Sequence, residues 1–326
     1  MRVVITGGAG FLGGRLAKAL LERGSLTDAR GETRRLRELA LVDVVAATIS
    51  DPRVKAIAGD LADPKVIERV VTPDTDSIFH LAAIVSGQAE AEFDTGMRVN
   101  LDATRALLER CRRLERPPKF VFTSSLAVFG GTLPDPVPDD AQLTPQTSYG
   151  TQKAIGELLV YDMTRKGYID GRSLRLPTVT VRPGKPNRAA SSFASGIIRE
   201  PLSGVDAVCP VARDTRVWVV SPRTVIASLI AGHEAPASAF RYTRSVNVPG
   251  LCVSVGEMVE ALRRIGGDAA AALVKWQVDP ATDRIVRTWP VRFDAALGPK
   301  LGMRVDPDFD SIVRAYIEDD LPRAAR

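Results

Sequence analysis

Tyr149 and Lys153, in the run Ser148-Tyr149-Gly150-Thr151-Gln152-Lys153, follow a Ser124-Ser125 pair that ends an apolar stretch, in a chain that opens Thr6-Gly7-Gly8-Ala9-Gly10-Phe11-Leu12-Gly13. On a helix, residues four apart share one face, so the spacing predicts the Lys153 ammonium beside the Tyr149 hydroxyl, where it lowers the phenol's pKa. An unperturbed tyrosine titrates near 10, and bringing it to about 7 takes roughly 4 kcal/mol of preferential phenolate stabilisation. A phenol activated in this way can take the proton of a secondary alcohol while a hydride leaves the same carbon. Singly, each residue also has a plain reading as a core aromatic, a solvated helix lysine or a strand-end cap. Their order after a glycine turn is what points to nicotinamide redox chemistry.

Gly7, Gly10 and Gly13 lie where a strand runs into a helix. They supply the tight turn and close backbone approach that let a pyrophosphate rest on the helix's first amides, here those around Phe11 and Leu12. Asp43 ends the run Ala40-Leu41-Val42, where a carboxylate accepts hydrogen bonds from ribose hydroxyls and repels a 2′-phosphate, so NAD is expected over NADP. It lies further past Gly13 than the usual spacing of about 20 residues, a difference the polar insertion Gly24 to Arg37 accounts for. Asp60 and Leu61 are expected to flank the adenine, and Leu81, Ala82 and Ala83 to lie against the adenosine side. Asn100 either caps its helix or contacts the cofactor, and both readings stay open.

The elements that position these residues alternate. Short β-rich runs cover Val3 to Thr6, Glu38 to Val44, Val54 to Ala58, Ser77 to Leu81, Lys119 to Ser124 and Arg172 to Val179. Between them, Leu12, Leu16, Ala19 and Leu20, and then Leu101, Ala106, Leu107 and Leu114, mark helix faces. Strand, crossover and strand predict an α/β fold with a parallel, doubly wound Rossmann sheet. After Arg182-Pro183-Gly184 the alternation turns irregular, punctuated by Pro186, Pro201, Pro210 and Pro222. The expectation is an NAD-binding domain over 1–181, with 217–265 returning to it in part, and a smaller substrate lobe from 182–216 and 266–326. The insertion Gly24 to Arg37 is expected to be exposed.

With 326 residues, 45% hydrophobic and 25% charged side chains, the chain has the composition of an ordinary globular protein. No apolar stretch approaches the roughly 20 residues of a membrane span, no secretory leader is visible, and a cytoplasmic location is the expectation. Three separated cysteines, Cys111, Cys209 and Cys252, read as buried thiols. The two histidines have no paired partner, so no metal site is expected, and His80 reads as a core residue. A net charge of +5, spread along the chain, gives nucleic-acid binding little support.

Gly7 to Gly13, Asp60-Leu61, His80-Leu81-Ala82-Ala83, Asn100, Ser125 and Tyr149 with Lys153 together resemble the extended short-chain dehydrogenase/reductase family, over most of the chain. That resemblance implies NAD as cofactor and a catalytic set of Ser125, Tyr149 and Lys153, with Ser125 on the substrate oxygen and Lys153 also holding the nicotinamide ribose. Ser125 is preferred to Ser124 because it directly precedes Leu126-Ala127-Val128-Phe129-Gly130, in which Phe129 replaces the family's usual Tyr. The resemblance further implies Pro177 and Thr178 beside the cofactor, and a homodimer formed through a two-helix face, Leu101 to Leu114 with Thr151 to Arg165.

Within that family, the segments Ala83 to Ser86, Ser124 to Gly131, Arg175 to Thr178 and Arg182 to Asn187 are similar to members that oxidise the C2 hydroxyl of a four-carbon sugar acid. A small anionic substrate needs a fixed cation and hydroxyl partners. Arg182, Lys185, Arg188 and Arg216 are the candidate cations, and Ser86 and Asn187 the candidate hydroxyl partners. A nucleotide-sugar epimerase is the competing reading. Leu126 and Ala127 argue against a sugar dehydratase, and Arg216-Val217-Trp218-Val219-Val220 keeps only the arginine of the corresponding family segment. A regulator that senses NAD without catalysis would have no need of Tyr149 and Lys153.

Overall fold

The computed structural model describes residues 1–184, 189 and 191–321. Seven parallel strands form the main sheet in the order Ser245–Asn247, Asp170–Leu176, Lys119–Ser125, Thr75–His80, Arg2–Thr6, Glu38–Asp43 and Val54–Ala58. From the first strand the chain steps outward twice, then returns to the first strand's other side and steps outward the opposite way. Ligands of such sheets bind at the strands' carboxyl ends where the order reverses, here between Arg2–Thr6 and Thr75–His80.

Strand side chains alternate between faces. Val3 and Ile5 join a core with Leu16 and Leu20 of helix Phe11–Arg23 and Leu229 of helix Pro222–Glu234, while Val4, Ile78, Phe120 and Phe122 face Ile67, Leu107 and Leu108 on the other side. The run expected as one strand, Arg172 to Val179, divides into Asp170–Leu176 in the main sheet and Thr178–Val179 in a smaller one. Pro177, which has no N–H for a ladder, stands at the crossing.

In the smaller sheet Thr178–Val179 runs parallel to Arg216–Val220, which pairs antiparallel with Leu251–Ser254. Helices Ser192–Leu202, Val255–Ala272 and Phe309–Asp319 close a separate core over it, with Ile197, Val217, Met258 and Val313 fully buried. Of 217–265, helix Pro222–Glu234 and strand Ser245–Asn247, with Val220, Ala235 and Val248, pack in the main core, while strand Leu251–Ser254 and helix Val255–Ala272 build the small lobe. Part of 266–326 also crosses back: Leu297, Leu301 and Met303 lie in the main core, because the short helix Leu297–Lys300 packs against strand Ser245–Asn247.

The insertion departs from expectation. Ser25–Thr27 and Thr33–Arg35 form a hairpin that buries Leu26 and Leu36 against the main core, while its tip and the outward-facing Thr33, Arg35 and Arg37 are exposed. Cys111 and Cys209 are buried, whereas Cys252 is half-buried.

Both histidines are core residues. His80 is hydrogen-bonded to the Thr6 and Thr104 hydroxyls at 2.7 and 2.8 Å. His233 meets the Ser77 hydroxyl at 2.8 Å and Glu234 Oε1 at 2.9 Å, and stacks on Phe79. Burial pushes their pKa values down to about 3 and about 4 respectively. An unfolded histidine takes up a proton near 6.5 and the folded one does not until far lower, so stability is full above 6.5 and falls on acidification, by about 1.4 kcal/mol per pH unit per histidine. Denaturant midpoints are therefore expected to drop measurably between pH 7 and pH 5.5, and equal midpoints would contradict neutral buried histidines.

Candidate active site

The glycine turn is built by exclusion of side chains. Gly7 has φ of 71°, and a β-carbon on residue 13 would stand 2.1 Å from the Gly7 carbonyl oxygen. Helix Phe11–Arg23 starts after Gly10 without a side-chain cap, which leaves the amides of its first turn to a ligand. Beside it, the Thr6 hydroxyl accepts from the Leu81 and Ala82 amides, both at 3.1 Å, and so draws Leu81, Ala82 and Ala83 to the turn. Asp43 accepts from the Ala9 amide at 3.1 Å and the Val44 amide at 2.7 Å. A cradle that a β-carbon would fill, uncapped amides and a carboxylate at its rim fit the pyrophosphate and ribose diol of NAD.

The side chains of the other predicted cofactor residues have these partners. The Asp60 carboxylate accepts from the Ala62 amide and Arg98, and Leu61 is buried beneath it in the core. Phe11 carries the Arg15 guanidinium over its ring at 5.0 Å, and Leu12 packs on the main core. Asn100 neither caps a helix nor faces the crevice: it is 2% exposed, in a π-helical turn Met97–Asp102, and its amide bonds the Ile84 backbone and the Gln152 side chain. It holds the loop after strand Thr75–His80 against the helix of Tyr149. Pro177 is buried at the crossing between sheets, and Thr178 is partly buried next to it.

The structure brings Ser125, Tyr149 and Lys153 together. Strand alternation sends Ser124 backward, where it donates to Glu157 at 2.5 Å, and Ser125 forward, where it hydrogen-bonds the Tyr149 hydroxyl. Thr147 caps helix Ser148–Arg165 by accepting from the Gly150 amide. At Gly150 the helix presses so closely on the segment after Ser125 that a β-carbon there would lie 2.1 Å from the Ala127 carbonyl oxygen. The glycine of the Tyr-Gly pair is thus what lets Tyr149 reach Ser125.

The electrostatics correct one expectation. Burial pushes the Tyr149 hydroxyl up to about 12; the Ser125 hydrogen bond and the Arg182 guanidinium pull it back in part. Lys153 is buried, donates to the Thr123 carbonyl at 2.8 Å, and sits 5.7 Å from the Tyr149 ring centroid. One of its three N–H groups goes to the backbone of strand Lys119–Ser125, and burial lowers it to about 8, with Glu157 opposing that fall.

Arg182 is the cation that the fold delivers to Tyr149. Its amide donates to the Ser195 hydroxyl at 3.1 Å and its carbonyl accepts from Arg199 at 2.7 Å, both from helix Ser192–Leu202. Clamped at both ends, its guanidinium carries no hydrogen bond or ion pair among the described residues, and burial lowers its pKa. No local sequence pattern announces Ser195 or Arg199 in this role. Arg216 is exposed, approaches the Cys252 sulfur at 3.7 Å, and begins its strand, whereas Arg182 lies beyond the end of the parallel neighbour; the two leave opposite ends of the small sheet. Ser86 opens helix Ser86–Ala91, which packs on the helix of Tyr149 through Glu90 and the Ser148 amide. Lys185, Asn187 and Arg188 lie outside the described residues.

The sequence model of the NAD dependent epimerase/dehydratase family matches residues 3–219. A D-erythronate dehydrogenase of Cupriavidus necator is 55% identical over 98% of this chain and 98% of its own, and one of Haemophilus influenzae is 45% identical over 98% and 100%. Among solved structures, one described as a nucleoside-diphosphate-sugar epimerase from Agrobacterium tumefaciens superposes with a TM-score of 0.93 at 42% identity, covering 100% of this chain and 96% of that one. The L-threonine 3-dehydrogenase of Trypanosoma brucei superposes at 0.82 with 26% identity, covering 97% and 96%.

Asp43→Asn is expected to weaken NADH and shift its preference over NADPH at least about tenfold toward NADPH in fluorescence titrations; an unmoved ratio would remove Asp43 from cofactor choice. Gly150→Ala forces the helix off Ala127 and is expected to cut kcat about a hundredfold with NADH binding retained.

Proposed function

The chain belongs to the NAD dependent epimerase/dehydratase family, and from that membership we propose that it oxidises the C2 hydroxyl of D-erythronate to 2-oxo-tetronate with NAD. The observation that carries the substrate is full-length likeness to two D-erythronate dehydrogenases. One clamped guanidinium beside the tyrosine, without an ion pair among the described residues, supports it.

Gly7, Gly10 and Gly13 with the amides of Phe11 and Leu12 hold the pyrophosphate, Asp43 the adenosine ribose, and Lys153 the nicotinamide ribose. The chemistry supplied by bound NAD is acceptance of the C2 hydride, together with a positive charge beside the phenol. Arg182 takes the substrate carboxylate in a two-pronged contact, which sets C2 next to Tyr149. Ser86, at the start of the helix that packs on the helix of Tyr149, is a partner for a distal hydroxyl. Ser125 donates to the C2 oxygen and fixes its direction. Tyr149, as phenolate, takes the hydroxyl proton while the C2–H bond breaks with its electron pair, leaving a ketone. Because burial holds the phenol at about 12, phenolate becomes more abundant as pH rises, and the oxidation rate climbs with pH until a cation of the site is lost.

The epimerase reading is favoured by the description attached to the Agrobacterium structure. An epimerase returns its hydride and releases no net NADH, so the two readings part on one measurement. The helices Ala103–Cys111 and Ser148–Arg165 are proposed as a homodimer face, on which Leu158 is 59% exposed. A cytoplasmic setting is proposed with it, supported by three free thiols. No helix among the described residues is long and apolar enough to cross a membrane.

D-Erythronate is expected to drive NADH formation at 340 nm, and L-threonate and UDP-hexoses to drive little; turnover of a UDP-hexose alone would transfer the chain to the epimerases. Tyr149→Phe is expected to lower kcat by at least about a thousandfold with NADH affinity nearly intact, and retained turnover would remove Tyr149 from the mechanism.

A further inference from the structure

Behind the catalytic set, on the side away from the crevice, lies a buried ion pair that the steps above do not use. Glu157 is one turn past Lys153 on helix Ser148–Arg165, and Arg175 is on strand Asp170–Leu176. Their side chains are 3% and 4% exposed. The guanidinium donates to both carboxylate oxygens, from Nη2 at 2.7 Å and from Nε at 2.9 and 3.2 Å. Its Nη1 donates to the Asp139 carbonyl at 2.8 Å and to Asn247 Oδ1 at 3.2 Å, and its plane covers the Phe129 ring at 4.8 Å. Ser124 adds a third donor to Glu157, at 2.5 Å.

Burying two charges is costly, and such a pair can often be replaced by apolar residues without loss of stability. Packing alone therefore gives no reason for a carboxylate here. Lys153 does give one: it is a buried ammonium whose hydrogen bond goes to a neutral carbonyl and whose nearest ring is Phe122 at 4.8 Å. Around it stand Tyr149 and Glu157 on its own helix, neutral His80 on strand Thr75–His80, Arg175 on strand Asp170–Leu176, and Arg182 facing Tyr149. Among the described residues, Glu157, one helical turn along, is the negative charge that acts on it.

We infer that Glu157 is a positioning residue for proton abstraction, its carboxylate supplying the counter-charge that keeps Lys153 an ammonium, while Arg175 and Ser124 fix that carboxylate in place. The inference rests on the assignment of Tyr149 and Lys153 to catalysis. It explains the adjacent serines: Ser125 serves the substrate side, and Ser124 anchors the charge behind the lysine. It also gives the alkaline limit of the reaction a cause. Removing the carboxylate favours the neutral amine, so Lys153 loses its proton at lower pH and the phenolate loses its cationic neighbour.

The test follows Lys153 itself, by ¹⁵N-lysine NMR titration of the protein without cofactor, together with kcat and KM against pH. Glu157→Gln is expected to lower the Lys153 midpoint by roughly one unit. It is also expected to move the alkaline limb of kcat down with it, cutting kcat about tenfold at pH 8.5 with KM for D-erythronate little changed. Glu157→Asp keeps the charge and is expected to recover most of both. Because Glu157→Gln leaves Arg175 buried without its partner and destabilises the fold, Glu157→Gln/Arg175→Met serves as the second variant. A merely structural pair predicts that this neutral double variant regains the wild-type midpoint and limb; the counter-charge predicts that both stay shifted. Recovery in the double variant, or an unmoved Lys153 midpoint in Glu157→Gln, overturns the inference. A wild type inactive on D-erythronate would instead sink the proposed function and leave the titration to decide on Glu157.

Discussion

Two backbones approach closer than a methyl group permits at both halves of the site. At residue 13 the first helix closes on the Gly7 carbonyl, and at residue 150 the helix of Tyr149 closes on the Ala127 carbonyl, in each case with 2.1 Å to a hypothetical β-carbon. The first approach seats the start of the helix against the turn at the point where the sheet reverses. The second brings a phenol to a serine that a strand has turned the same way. Interiors are too tightly packed to absorb such contacts by drifting apart, so each glycine converts a chain contact into a defined distance between reactive groups.

Charge is then distributed around that geometry in layers. The phenol is desolvated and held protonated, a guanidinium stands in front of it, an ammonium lies one turn along, and a carboxylate stands behind the ammonium. The buried phenol and the buried ammonium are each displaced toward their neutral forms. Buried groups whose protonation is set by neighbours rather than by water are those that a small change in local charge can switch.

What could be read in the sequence was local. Gly7, Gly13, Ser125, Tyr149 and Lys153 are recognisable because their spacing within one turn or one helix already implies their geometry, and five of the β-rich runs fall on strands of the main sheet, the sixth being split at Pro177 between the two sheets. What could not be read was assembled at a distance. The helix of Tyr149 buries Gln152, Lys153 and Glu157 on its inner face, so its polar inner side blurs the apolar period that marks other helices. The clamp on Arg182 joins residues 13 and 17 positions away, in a stretch with no periodic pattern. Leu26 and Leu36 flank a polar hairpin tip, and that tip made the whole insertion look solvated. Asn100 was legible as important, but its partners, Ile84 and Gln152, were not.

The crossing at Pro177 puts the rear and the front of the reaction chamber on one short piece of chain: Arg175 braces the helix from behind in the main sheet, and Arg182 emerges past the end of the small one. A missing N–H forbids that run to continue its ladder, so the thread must change sheets at this place and nowhere nearby. The small lobe is therefore a module hung on a fixed hook. Its distal helices can be rebuilt for a differently shaped acid, while the anchor point that indexes the lobe to the redox centre stays where the proline puts it.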